Sequence, residues 1–140
     1  MATGAILYLA GSAIFLLLGL LHGWLTYKDE KRPRTFAPRD DDLLAAMEKV
    51  SPRISGATTL WRAGLGFHYS HSLGLAGFGL LYGGFALFAW PALTSLPVLY
   101  WAAPLVAALY LFMAIRYWFR SPAIGAGLGL ALLLAGAIAG

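Results

Sequence analysis

The chain reads as an all-α integral membrane protein: a four-helix bundle with both termini outside and a cytoplasmic loop carrying a short amphipathic helix. Three observations predict this. Of its 140 residues 60% are hydrophobic and only 11% charged, which is far from a soluble composition. Apolar runs at about 4–27, 61–90, 98–119 and 123–140 are each long enough to cross a bilayer as a helix. The ten Lys and Arg and six Asp and Glu all lie within 28–62 or at Arg116 and Arg120, and such placement reports topology. A single membrane domain, 1–140, follows.

The first run lacks a basic amino-terminal region and a small-x-small cleavage site, and is too long for a signal core, so it reads as a retained span. Trp24 and Tyr27 mark its interfacial end. The loop 28–60 is the only long polar segment. Pro33 and Pro38 interrupt helix in its first half. Asp40 to Asp42 then precede LLAAMEKV, where Leu43, Leu44, Met47 and Val50 share a face. This predicts an N-capped helix lying on the membrane surface, and a cap explains the Asp run better than a metal site does.

The second span begins near Trp61 and ends at Trp90-Pro91. Gly66, Ser70 and Gly74 form a four-spaced seam suited to helix packing, continued by Gly79 and Gly83. A short turn, ALTSLP, leads to the third span, with Pro104 near its start, where a lost hydrogen bond is tolerated. Arg120-Ser121-Pro122 predict a tight corner before the fourth span, in which Gly125 and Gly129 again suit packing.

The segment 28–62 holds eight Lys or Arg, the 116–120 corner two and the opposite face none. The positive-inside rule therefore puts the basic loops in the cytoplasm. Aromatic belts agree, with Trp24, Tyr27, Trp61, Tyr117 and Trp118 inner and Trp90, Tyr100 and Trp101 outer. Size and style suggest a bacterial inner membrane. There are no cysteines, which excludes disulfides, thiolate metal sites and a cysteine nucleophile. The net charge of +4 comes without aromatic-basic interleaving, so nucleic acid is not an expected partner. The expected partners are membrane lipid and either further copies of the chain or a larger membrane complex.

Chemistry concentrates at one face. His22 lies six residues before Lys28, about 9 Å inside the boundary at 1.5 Å per residue. His68 lies six residues after Arg62 at similar depth on the neighbouring antiparallel span, and His71 one turn deeper on the same helical face. Tyr69, Ser70 and Ser72 add hydroxyls, and Arg116 ends the third span at the same level. Polar groups within a span are costly and mark functional interiors. The plainer alternative is a histidine bonded to a carbonyl or water, with Arg62 and Arg116 snorkelling to headgroups.

Two chemistries suit the cluster. Neutral imidazoles on facing helices can hold haem or a metal, with His22, His68 and His71 as three zinc ligands. No intramembrane Asp or Glu supports them, which weighs against metal. Alternatively His68 and His71, partnered by His22, act as acid and base on a lipophilic substrate whose anionic head Arg62 or Arg116 holds, with Ser70 nearby. A non-catalytic accessory subunit, docked through its glycine seams, is the reading from another class. The residues fit a catalytic and a non-catalytic reading alike.

Trp61-Arg62-Ala63 at the start of the second span resembles the aromatic-Arg-Ala start found in the membrane-associated eicosanoid and glutathione metabolism family. Tyr110 to Tyr117, YLFMAIRY, resembles that family's third-span ending. The resemblance implies a four-span oligomer handling lipophilic substrates, with Arg62, Arg116 and Tyr117 near an anionic cofactor such as glutathione. Gly66 and Tyr69 stand where that family carries Asn and Glu.

Overall fold

A computed structural model describes residues 1–140. The chain is all-helical: α1 (Thr3–Lys31), α2 (Asp41–Met47), α3 (Leu60–Phe88), α4 (Trp90–Thr94), α5 (Pro97–Tyr117) and α6 (Arg120–Ala139). Four of these, α1, α3, α5 and α6, are long and apolar enough to cross a membrane. Large apolar side chains such as Phe67, Leu73, Phe88, Val98, Ile115 and Ile138 point outward, as a lipid environment permits and water would not.

Prolines set the breaks. Pro91 has no N–H to continue α3, and the break falls at Ala89, the non-helical N-cap of α4. Hence α3 stops at Phe88, and the expected ALTSLP turn is largely the helical turn α4. Pro97 opens α5 at its first position, where a missing N–H costs nothing. The corner before α6 is Trp118-Phe119 rather than Arg120-Ser121-Pro122, because Pro122 sits within the first turn of α6, where amides lack intrahelical acceptors.

The chain forms two compact units, one of residues 1–18 and 75–140, the other of residues 19–74. In the first, the halves of α1 and α3 pack with α5 and α6 as a helix bundle around Tyr8, Phe15, Tyr82, Leu93, Tyr100 and Leu133. Phe15 meets Phe78 edge-on at 5.0 Å. Gly79 allows the closest approach: a Cβ there would lie 2.5 Å from the Leu16 amide nitrogen and 2.7 Å from the Ser12 carbonyl oxygen.

A buried tyrosine cluster donates to backbone carbonyls of α5 and α6, two of which lack a helical donor. Pro104 lies inside α5 and cannot donate to the carbonyl of Tyr100, four residues back. The fully buried Tyr8 hydroxyl donates to that carbonyl instead. The Tyr82 hydroxyl donates to the neighbouring Leu99 carbonyl at 3.2 Å. Tyr100 in turn donates to Ala137 at 3.1 Å, in the last turn of α6, where carbonyls lack helical partners. Tyr100 is therefore a buried cap, not the outer-belt anchor expected of it. Trp61, expected in the inner belt, is also buried, whereas Trp24, Tyr27, Tyr117 and Trp118 are exposed.

In the second unit α1 and α3 run antiparallel, clasped where the Ser72 hydroxyl donates to the Gly19 carbonyl at 2.7 Å. Gly23 permits this, since a Cβ there would lie 2.5 Å from Ser72 Oγ. The expected seam of Gly66, Ser70 and Gly74 is a correction: these positions are exposed, and a Cβ at Gly66 would meet nothing within 4 Å. The packed face of α3 here carries His68, His71 and Ser72 instead, because polar side chains gain more than glycine does by leaving the lipid-facing side. Asp40 caps α2 by accepting from the Leu43 amide at 3.0 Å. No residue of α2 is buried, which suits the surface helix expected.

Candidate functional site: three imidazoles under an aromatic cap

His22 on α1 and His68 and His71 on α3 all belong to the second unit and converge there. His22 Nε2 lies 3.1 Å from His68 Nδ1, a hydrogen-bond distance. The His22 ring centre is 5.2 Å from that of His68 and 5.0 Å from that of His71, the latter edge-on. Helix spacing accounts for this. His68 and His71, three residues apart, share one face of α3, and the Ser72–Gly19 clasp brings that face against His22.

The bond dictates proton placement. One of the two facing nitrogens carries a hydrogen and the other must not. If His22 Nε2–H donates, His68 holds its proton on Nε2; if His68 Nδ1–H donates, His22 holds its proton on Nδ1. A proton that arrives on one ring can thus leave from the other. The Thr26 hydroxyl donates to the His22 carbonyl at 2.8 Å, and the Thr26 side chain is fully buried. No group of three or more His, Asp or Glu is arranged to hold a metal ion.

A residue not anticipated from the sequence covers the pair. The Phe36 ring stacks on His68 at 4.2 Å between centres and 18° between planes, and packs 4.8 Å from His22. It is held by Asp29, only 1% exposed. Asp29 Oδ1 accepts from the Thr35 amide at 2.8 Å, and Oδ2 from the Phe36 amide at 2.6 Å. Phe36 is the sole aromatic residue in 28–59, a signal that was there to be read. Nothing in the KDEK run distinguished Asp29 from its charged neighbours.

The other expected residues are placed as follows. Arg62 is exposed in the first turn of α3. Its amide donates to Thr59 Oγ1 at 3.3 Å. The Ser70 hydroxyl donates to the Phe67 carbonyl of its own helix at 2.8 Å. The Tyr69 hydroxyl donates to Glu30 at 2.7 Å, tying α3 to the end of α1. Arg116 and Tyr117 belong to the first unit, exposed at the end of α5, with the guanidinium 5.1 Å from the centre of the Tyr117 ring.

Compared with family models, curated proteins and solved structures, the chain matches none.

Proposed function

We propose that this is an integral membrane protein that binds a lipophilic ligand or substrate at the three-histidine cluster, on the side of the basic loops, and exchanges a proton with it. The observation that carries the reading is the 3.1 Å contact between His22 and His68 on facing apolar helices. Two imidazoles so joined can take a proton at one nitrogen and release it from another, which general acid–base chemistry requires near neutral pH. His71 stands as the third member, and Arg62 offers a cation for an anionic head at the cytoplasmic boundary. The reading keeps the lipophilic substrate class implied by the resemblance noted for Trp61-Arg62-Ala63 and Tyr110 to Tyr117. It does not depend on glutathione, nor on Arg116 and Tyr117.

The test is chemical. Wild-type protein and the His22→Ala and His68→Ala variants, purified in mild detergent, are extracted and their small molecules compared by mass spectrometry. The expected result is a lipophilic species enriched in the wild type and lost from both variants, with thermal unfolding midpoints within a few degrees. Variants that misfold, or that retain the same species, would make these histidines structural.

A second reading, an accessory subunit of a larger complex, is favoured by the open face of α3. Gly66, Ser70 and Gly74 are exposed there, and small residues are what a neighbouring membrane helix packs against. A stoichiometric partner surviving gentle purification would support it, and a homo-oligomer alone would oppose it.

A further inference from the structure

We infer that the segment 29–36 governs access to the imidazole pair, with Phe36 as the cap and Asp29 as the residue that positions it. Its importance for function rests on the ligand-site reading above, but the access control itself does not.

A charged group is buried at the end of a membrane helix only when its oxygens are satisfied, and both oxygens of Asp29 are used on one short stretch of backbone. Bonds from amide N–H to an ionised carboxylate belong to the short, strong class. They close the eight-residue segment 29–36 around Pro33, and fix the amide of the residue whose side chain lies over the histidines. The phenyl ring then covers both members of the pair, face to face with His68 and tilted against His22. Phe36 is only part-buried, so its outer side meets the aqueous loop while its inner side meets imidazole. Anything that reaches the His22–His68 bond from that side must displace this ring, and displacing the ring pulls on the Asp29 clamp.

Asp29→Asn separates clamp from bulk. Asparagine keeps the shape but offers one acceptor oxygen and an NH2 in place of the second. It can hold one of the two amides while presenting a donor to the other, so the loop loosens with little change in volume.

Acylation of histidine by diethyl pyrocarbonate reads access directly, because the reagent attacks an unprotonated imidazole nitrogen and requires no ligand. The full chain in lipid vesicles is treated, and the rate at each histidine is followed by peptide mass spectrometry. Phe36→Ala should raise the rates at His22 and His68 about tenfold or more, Asp29→Asn should raise them part of the way, and Phe36→Tyr should restore slow labelling. His71 provides the internal control, since its Nε2 is buried: its rate should stay low in every variant. Unchanged rates at His22 and His68 in Phe36→Ala would overturn the inference. A parallel rise at all three histidines would also overturn it, because the segment would then be holding the unit together rather than covering two rings. Neither result bears on whether a lipophilic species copurifies, so the two proposals fail separately.

Discussion

The bond from Tyr8 to the Tyr100 carbonyl offers a sharp test of how this bundle accommodates Pro104. In the separated helices that carbonyl lacks an intrahelical donor because residue 104 has no N–H. On assembly the fully buried Tyr8 supplies one. Interhelical hydrogen bonds in membranes average only about 0.6 kcal/mol, since the dissociated helices find other partners. Here the usual partner is missing, so Tyr8→Phe, which keeps the ring stacked on Tyr100 and removes only the hydroxyl, should destabilise by about 1–2 kcal/mol. Pro104→Ala restores an N–H at residue 104 and hence the helical bond to Tyr100. In that background the hydroxyl is a second donor to a satisfied oxygen, and its removal should cost about 0.5 kcal/mol or less. The double-mutant cycle should therefore show a coupling near 1 kcal/mol, above the additivity error of about 0.3–0.5 kcal/mol. Reversible unfolding in mixed detergent–SDS micelles, followed by circular dichroism, measures all four species. Equal costs for Tyr8→Phe in both backgrounds would refute the reasoning.

Other substitutions test the packing and the topology. Gly79→Ala forces a Cβ against backbone atoms of Leu16 and Ser12 and should cost about 1–3 kcal/mol. Gly77→Ala, with nothing within 4 Å, should be neutral or slightly stabilising in the same unfolding assay. Gly23→Ala places a methyl group 2.5 Å from Ser72 Oγ, so the Ser72–Gly19 clasp should break and the His22–His68 contact should part. Imidazole resonances of the labelled histidines would report this as a loss of their mutual hydrogen bond, and spectra unchanged from wild type would contradict it. Because the chain has no cysteine, Ser55→Cys and Ser95→Cys can be labelled singly with an impermeant maleimide. The topology proposed from the positive-inside rule expects Ser55 to react from the cytoplasmic side and Ser95 from the opposite one.

Much of the candidate site could be read from residue spacing. The depths of His22, His68 and His71 follow from counting along two antiparallel helices, and the shared face of His68 and His71 follows from their three-residue separation. The clamp and cap were not legible in this way. Asp29 resembles the five other acidic residues of 28–62, and only the return of the chain at Thr35 and Phe36 makes it different. Gly66, Ser70 and Gly74 share the spacing of a packing face yet pack against nothing within the chain, because spacing alone does not say which face of a helix turns inward.

By itself the sequence determined the number, length and boundaries of the apolar helices to within a few residues, together with the Asp40-capped helix α2. These are local matters: in lipid the backbone must satisfy its own hydrogen bonds, so an uninterrupted apolar run becomes a helix and proline marks where it breaks. Tertiary structure alone decided that Tyr100 caps another helix rather than anchoring in a belt, that Tyr8 answers Pro104, and that Asp29 holds Phe36 over two histidines. Each of these depends on the rotation of one helix about its axis or on the path of one loop. Where nearly every face of a helix is apolar, hydropathy leaves that rotation undetermined, and a few buried polar contacts choose it.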